Sequence, residues 1–165
     1  MIKRLAACGA CALLGGGVQA ATTTTNFAVT ANLQATCSTT ASALAFGAYT
    51  PGGGARTGNT TINVRCTKNT PYVVSLNAGS TTGGSFAQRL MASGANTLQY
   101  NLYTSAAFTS IFGDGTASTL TSAGNGAGIG TANTLTVFGN LPDSAANQAA
   151  VPGSYTDTIT VTITY

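Results

Sequence analysis

Apolar and polar residues alternate with a period of two along most of this chain. Because successive side chains of a β-strand point to opposite faces, this spacing predicts strands with one buried face. The predicted strands cover residues 25–37, 44–49, 61–67, 71–76, 89–91, 98–103, 135–139 and 153–165. No segment carries an apolar face at the helical spacing of three and four residues.

Glycine, proline and asparagine separate the predicted strands, as they do in antiparallel β-proteins. Residues 113–130 are dense in Gly, Ser, Thr and Ala and predict an exposed loop. Threonine fills many polar strand positions, where its β-branched side chain suits the extended backbone. The pattern therefore predicts an all-β fold, an immunoglobulin-like antiparallel β-sandwich.

Residues 1–20 have the composition of a secretory signal peptide. A basic pair precedes an apolar run over residues 5–14, which is too short to span a bilayer. The segment ends in small residues, so we expect cleavage after Ala20, with Ala21 as the alternative. The mature chain is therefore predicted to be exported.

Charged residues make up only 5% of the chain, against about 25% in an ordinary soluble domain. Histidine and glutamate are absent, so histidine-based catalysis and most metal sites lack the residues they need. Nucleic-acid binding requires a dense basic patch, which the sequence does not contain. We expect no catalytic site, no cofactor, no metal, no nucleic-acid partner and no small-molecule substrate.

Removal of the signal peptide leaves four cationic and three anionic side chains, a formal net charge of +1. These residues are Arg56, Arg65, Lys68, Arg89, Asp114, Asp143 and Asp157.

Two of the four cysteines, Cys8 and Cys11, lie in the predicted signal peptide. An exported chain with two remaining cysteines most simply pairs them, so we predict a disulfide between Cys37 and Cys66. The alternative, a metal or redox pair, lacks further ligands and a short Cys-x-x-Cys spacing.

The most regular predicted strands lie at the two ends of the sequence. We expect nothing to pair beyond the strand at residues 153–165, which would leave an open sheet edge. Residues 22–35 form an equally regular amphipathic strand. Either this segment folds back onto its own sheet, or it inserts into the next copy and joins copies into a fibre. The pattern alone leaves both possibilities open.

Several short motifs, taken together in their order, resemble the spore coat protein U family, which includes subunits of archaic-type chaperone–usher pili. They lie at residues 27–33, 44–49, 62–66, 71–79, 98–104 and 111–115 and in the closing Pro-Gly-Ser-Tyr-Thr-Asp-Thr of residues 152–158. The resemblance implies an incomplete immunoglobulin-like pilin domain that lacks its last strand. Residues 21–36 would form a donor-strand extension and residues 37–165 the domain.

The resemblance also implies the partners and the place of action. A periplasmic pilus chaperone and an outer-membrane usher would handle the subunit. Copies of the chain, or related pilins, would then polymerise by donor-strand exchange into a cell-surface pilus that supports attachment or biofilm formation.

Two sets of side chains follow from the resemblance. The donor strand would present Phe27, Val29, Ala31 and Leu33. The acceptor groove, which is also the chaperone contact, would be flanked by Ile159, Val161, Ile163 and Tyr165.

Two other functions remain as alternatives, a spore or cell-surface coat protein and a self-contained secreted carbohydrate-binding module. The module would use the loops at residues 80–97 and 113–130 as its binding surface. A single domain favours a shaft subunit over a two-domain tip adhesin.

Three smaller features have structural interpretations. Asp114 lies between two glycines, and we predict a turn there in preference to a cation site. Tyr155 is predicted to form a tyrosine-corner-like hydrogen bond. Asp157 interrupts an apolar strand face, and the sequence leaves open whether it lies at a strand end or is paired.

Overall fold

A computed structural model describes residues 17–165, and the chain divides into two units, Met1–Asn32 and Leu33–Tyr165. In the first unit, residues 17–32 contain no helix or strand and their side chains are exposed. The second unit contains eight strands and one short helix. Most of the signal peptide predicted over residues 1–20 lies outside the described residues, so it stays a prediction.

The second unit consists of two antiparallel sheets. Its elements are β1 (Cys37–Ala41), β2 (Arg56–Cys66), β3 (Pro71–Leu76), β4 (Arg89–Ser93), β5 (Asn96–Tyr103), β6 (Ser122–Asn125), β7 (Asn133–Leu141), α1 (Ala145–Gln148) and β8 (Val161–Thr164). One sheet has the strand order β1-β2-β7-β5-β4, and the other has the order β6-β3-β8. The predicted immunoglobulin-like antiparallel sandwich is therefore confirmed.

Alternate residues of facing strands fill the core between the sheets. Ile62 and Val64 of β2, Val74 and Leu76 of β3, and Val137 of β7 are each at most 2% exposed. Because the polar neighbours of Ile62 and Val64 point away from the core, the period of two in β2 correctly identified its buried face. In β3, which the sequence shows as a continuous apolar run, Val73 is 38% exposed and the residues on either side of it are buried.

A buried arginine links the five-stranded sheet to neighbouring loops. The Arg89 guanidinium donates hydrogen bonds to the backbone carbonyls of Asn77 and Phe112 and to Oδ1 of Asn101, at distances of 2.7–3.1 Å. The side chain is 0% exposed, and these acceptors offset the cost of removing the cation from water.

Two predicted end strands are wrong in their bounds. The first strand begins only at Cys37, and no strand is present at residues 25–36. At the other end, only Val161–Thr164 is paired as β8. The alternating pattern records which side chains can face an apolar surface, but a strand also needs a backbone partner.

The prediction of a strand at residues 44–49 is wrong, although Leu44, Phe46 and Tyr49 still pack against the core. The predicted exposed loop at residues 113–130 is also wrong in part, because it contains β6 and the buried side chain of Thr119.

The sequence pattern missed helix α1. Ser144 caps its N-terminus by accepting a hydrogen bond from the Asn147 amide, but four residues are too few to show a helical period.

Two of the smaller predictions are confirmed. Asp114 forms a turn in which its carboxylate accepts hydrogen bonds from the amide and hydroxyl of Thr116. The Tyr155 hydroxyl donates to the Val151 carbonyl, which is the expected tyrosine-corner-like bond.

The predicted disulfide is confirmed. Cys37 and Cys66 lie directly opposite each other at the start of β1 and the end of β2, and their sulfurs are bonded. The bond ties the edge strand β1 to its neighbour β2 in the five-stranded sheet.

We predict that replacing both cysteines by serine lowers the free energy of unfolding by about 3–4 kcal/mol, because the unfolded chain regains the entropy of an open loop. Urea denaturation of the variant and of the oxidised wild-type chain measures this difference. Wild type in reductant is the matched control and should unfold like the variant. An unchanged midpoint in both would contradict the prediction.

Candidate functional site

An open groove runs along one side of the sandwich in the second unit. Residues 41–49, which we call the first wall, lie on one side of it, and residues 155–161, the second wall, lie on the other. Apart from Ala41 and Val161 at the ends of β1 and β8, and an isolated bridge at Thr156, the walls have no strand structure.

The groove consists of two connected cavities of about 520 Å³ and about 660 Å³. Both are lined by Leu44 and Phe46 of the first wall, Tyr155 of the second wall and Met91 of β4.

The floor of the smaller cavity is the hydrophobic core itself. It is formed by Ile62, Leu76, Tyr100, Leu102 and Val137. All five residues also belong to the cluster of buried apolar side chains. An apolar floor open to water favours an occupant with apolar side chains, because burial of apolar surface contributes about 25 cal/mol per Å².

The backbone of β8 offers hydrogen-bonding groups to the groove. The Asn77 amide donates to the Thr160 carbonyl, so Thr160 and the alternate residues Thr162 and Thr164 point their backbone groups toward β3. The intervening residues Ile159, Val161, Ile163 and Tyr165 therefore point their N–H and C=O groups away from β3. The same alternation turns the side chains of Ile159, Val161 and Ile163 toward the core.

The opposite side of the groove has a similar open edge. Ser42 donates to the Thr61 carbonyl and Thr67 donates to the Thr36 carbonyl, so even-numbered residues of β1 face β2. Cys37, Thr39 and Ala41 consequently point their backbone groups outward. Further along the first wall, the backbone of residues 43–48 forms no hydrogen bond with any described residue.

Asp157 anchors the second wall. Its Oδ1 accepts hydrogen bonds from the amides and hydroxyls of Ser80 and Thr81 at 2.9–3.0 Å. Its Oδ2 accepts the Tyr100 hydroxyl at 2.6 Å. Thr156 adds two backbone hydrogen bonds to Ala92 of β4. The sequence left the environment of Asp157 open, and the structure shows a fully paired carboxylate.

The loop that receives Asp157 depends on a glycine. Gly79 has a φ of +96°, which favours glycine, and a Cβ at this position would collide with the Asp157 carboxylate. Nothing in the sequence pattern distinguishes Gly79 from the other glycines, so sequence reasoning could not identify it.

Burial alone would raise the pKa of the Asp157 carboxyl. Hydrogen bonds from Tyr100, Thr158 and Ser80 outweigh burial and hold the pKa below its ordinary value. Burial, followed by the bond to Asp157, raises the pKa of the Tyr100 hydroxyl. The carboxylate is therefore charged and the phenol neutral at neutral pH.

Asp143 anchors the first wall in a similar way. Its carboxylate accepts the Tyr49 hydroxyl and the amides of Gly52 and Gly54, the amides at 3.1 and 3.0 Å. The bond from Tyr49 is the main cause that holds the pKa of Asp143 below its ordinary value. Burial and the bond to Asp143 raise the pKa of Tyr49 to about 12.

A pair of glycines lets the first wall lie close to the five-stranded sheet. Gly58 of β2 and Gly139 of β7 are directly opposite each other. A Cβ on Gly139 would press into Leu44 and Phe46, and one on Gly58 would lie 3.0 Å from the Ala45 carbonyl oxygen.

The predicted groove residues occupy different places. Ile159 and Val161 line the smaller cavity. Ile163 packs against the core, whereas Tyr165 is 59% exposed and lines neither cavity. The sequence prediction did not include the first wall, Met91 or Tyr155 among the groove residues.

The predicted donor residues have exposed side chains. Phe27 is 84%, Val29 83% and Leu33 88% exposed, and Ala31 is exposed as well. Their role as a donor strand therefore remains a prediction.

Among residues 17–165, no group of three or more His, Cys, Asp or Glu side chains could hold a metal ion. The same part of the chain contains no helix long and apolar enough to cross a membrane.

Comparison with protein families identifies the class of protein to which this fold and groove belong. The Spore Coat Protein U domain matches residues 23–162, so the chain belongs to the spore coat protein U domain family. No curated protein matches the chain significantly.

Among solved structures, the chain is similar to one from Acinetobacter baumannii, the pre-assembly complex of the chaperone CsuC with the tip adhesion subunit CsuE from archaic chaperone–usher Csu pili. The TM-score is 0.55 and the sequence identity 23%. The match covers 80% of this chain and 40% of that chain. This likeness shows a shared fold.

We predict that Gly79→Ala destabilises the second unit more than Gly94→Ala. Both glycines have positive φ, but a Cβ on Gly94 meets no atom within 4 Å. Gly94→Ala should cost about 1 kcal/mol of unfolding free energy, and the clash with Asp157 should add about 1–3 kcal/mol at Gly79. Urea denaturation measures both values, and equal losses would contradict the assigned packing of Asp157.

Proposed function

We propose that this chain is a structural subunit of a secreted chaperone–usher pilus and that it polymerises by donor-strand exchange. The observation that carries the proposal is the groove. Its floor is the apolar core, and backbone edges without a strand partner among residues 17–165 run along both of its sides.

A β-strand is the occupant that suits such a groove best. Backbone groups of Ile159, Val161 and Ile163 can pair with an added strand, and alternate apolar side chains of that strand can cover the floor. A globular ligand or a sugar would leave these amides and carbonyls without regular partners.

The chain itself contains a segment with the required pattern. Phe27, Val29, Ala31 and Leu33 alternate with the small Ala28 and the polar Thr30 and Asn32, in a region that has no strand of its own. An extended strand rises about 3.3 Å per residue, so residues 27–33 would span about 20 Å. The second wall, residues 155–161, has the same number of residues, so the donor segment is long enough to lie along it. Burial of these four side chains would contribute several kcal/mol at about 25 cal/mol per Å².

Insertion into a second copy yields a fibre. Each copy would offer one donor segment and one groove, and such head-to-tail contacts continue without closing. A periplasmic chaperone would fill the groove first, and an outer-membrane usher would exchange it for the donor segment of the next copy. Export through the periplasm and a role in surface attachment or biofilm formation belong to this proposal.

Membership in the spore coat protein U family and the fold shared with a pilus subunit support the proposal. A surface coat built by the same strand exchange would use the same groove.

We predict that Val161→Asp abolishes capture by the chaperone and formation of polymers. Val161 lines the groove, so the new carboxylate would be buried without a partner when a strand binds. Thr162→Asp is the matched control, because Thr162 is exposed and should tolerate the charge. Co-purification with the chaperone measures capture, and normal capture of the Val161 variant would contradict the groove assignment.

We also predict that Val29→Asp prevents polymerisation, whereas Thr30→Asp leaves it intact. The two neighbours would face opposite sides of an inserted strand, so only the first would place a charge on the groove floor. Unboiled gels that preserve strand-exchanged polymers provide the measurement.

Deletion of residues 21–33 is the stronger form of this test and should leave monomers that still bind the chaperone. Polymers of the deleted chain would disprove donor-strand exchange through this segment. A stable, chaperone-independent wild-type monomer would favour the self-contained binding module.

A further inference from the structure

We propose that Asp157 and Asp143 are positioning residues that hold the two walls of the empty groove apart, ready to receive a strand. The inference rests on the proposed function, in which a strand of a second copy fills the groove.

The two anchors share one chemical design on opposite sides of the groove. Each carboxylate accepts a tyrosine hydroxyl and two backbone amides from residues far away in the sequence. Asp143 receives Tyr49 from the first wall, and Asp157 belongs to the second wall itself.

The walls need such anchors because they lack continuous strand ladders. The backbone of residues 43–48 forms no hydrogen bond with any described residue. In the second wall, the Thr158 and Thr160 amides donate to side-chain oxygens of Ser80 and Asn77, in place of regular strand partners. Side-chain oxygens thus accept the backbone hydrogen bonds that a neighbouring strand accepts elsewhere in the sheets.

Preorganisation links these anchors to binding. A wall that moved freely in the empty state would have to be ordered when a strand binds, and the lost entropy would weaken binding. Loss of one hydrogen-bonded carboxylate would free its wall in the unbound protein and weaken binding by about tenfold or more, where tenfold corresponds to about 1.4 kcal/mol.

Protonation of Asp157 and Asp143 at low pH removes their negative charge, so it should weaken strand binding as loss of the carboxylate does. A carboxyl whose pKa is lowered by folding contributes stability above its unfolded value of about 3.9 and loses that contribution as the pH falls through the folded pKa. Arg89 and Tyr100 are the charged or titratable groups near Asp157, and Tyr49 is the one bonded to Asp143. None of these changes its charge between pH 7 and pH 3.

The test measures binding of a synthetic peptide of residues 24–33, labelled and blocked at its ends, by fluorescence anisotropy. The peptide contains no ionisable side chain, so a pH dependence reports on the protein. The parent protein is the full chain with Val29→Lys, whose charge prevents donation of its own segment and does not change between pH 7 and pH 3.

Asp157→Asn and Asp143→Asn should each raise the Kd by about tenfold or more relative to the parent. Asp114→Asn is the matched control. Its carboxylate also accepts an amide and a hydroxyl, but both belong to Thr116 in its own turn, which is part of neither wall, so the Kd should stay within about twofold. Binding to the parent should weaken as the pH falls through the folded pKa values of the two carboxyls, which lie below their ordinary value, whereas the Asp143→Asn, Asp157→Asn double variant should lose most of this pH dependence.

Thermal unfolding of each variant separates positioning from global stability. If an asparagine variant fails to fold, Tyr100→Phe and Tyr49→Phe remove only one hydroxyl from each anchor and decide the question. Unchanged Kd values in folded anchor variants would overturn the proposal while leaving donor-strand exchange intact. A parent protein that does not bind the peptide would instead refute the proposed function.

Discussion

The open backbone edge of β8 is the constraint on which the rest of the second unit depends. Peptide groups that border an apolar surface need partners, and β3 satisfies only one side of β8. The side chains of Ile159, Val161 and Ile163 nonetheless pack against the core. The walls therefore cannot close by hydrophobic contact alone, because collapse would bury the free amides and carbonyls without partners. An added strand resolves both demands, since it pairs with the backbone and covers the apolar floor.

Most of the few charged side chains in the second unit form hydrogen bonds that hold segments of the chain together. The sequence has three acidic side chains, and each accepts hydrogen bonds from a loop or wall where strand pairing is absent. Arg89 acts in the same way from the donor side, since its guanidinium donates to two carbonyls and one amide oxygen. The structure thus uses several of its few charged groups as junctions between segments. This use explains why Asp157 interrupts an otherwise apolar face.

The sequence predicted the fold class, the disulfide and the buried face of β2, because each depends on local alternation or on simple pairing of cysteines. The sequence pattern failed for segments whose conformation depends on contacts with residues far away in the sequence. Residues 44–49 have the alternating pattern of a strand, but they form the first wall and make no backbone pairing with a neighbouring strand. Residues 157–160 are held by hydrogen bonds to the loop at residues 77–81. Ile159 and Val161 were identified from the resemblance, whereas Met91 and Tyr155 join the groove through packing that no local pattern records.

The nearly neutral surface also bears on how copies could assemble. Residues 21–165 carry a formal net charge of +1, so repulsion between copies would be small and charged patches could not steer them into register. In the proposed assembly, the groove would then supply both affinity and register. Its apolar floor provides affinity without direction, and its backbone edges fix the strand axis. A shift by one residue would turn the donor's polar face onto the floor, so the alternation of Phe27, Val29, Ala31 and Leu33 makes odd shifts costly. Recognition in such an assembly would depend on strand geometry and very little on ionic strength.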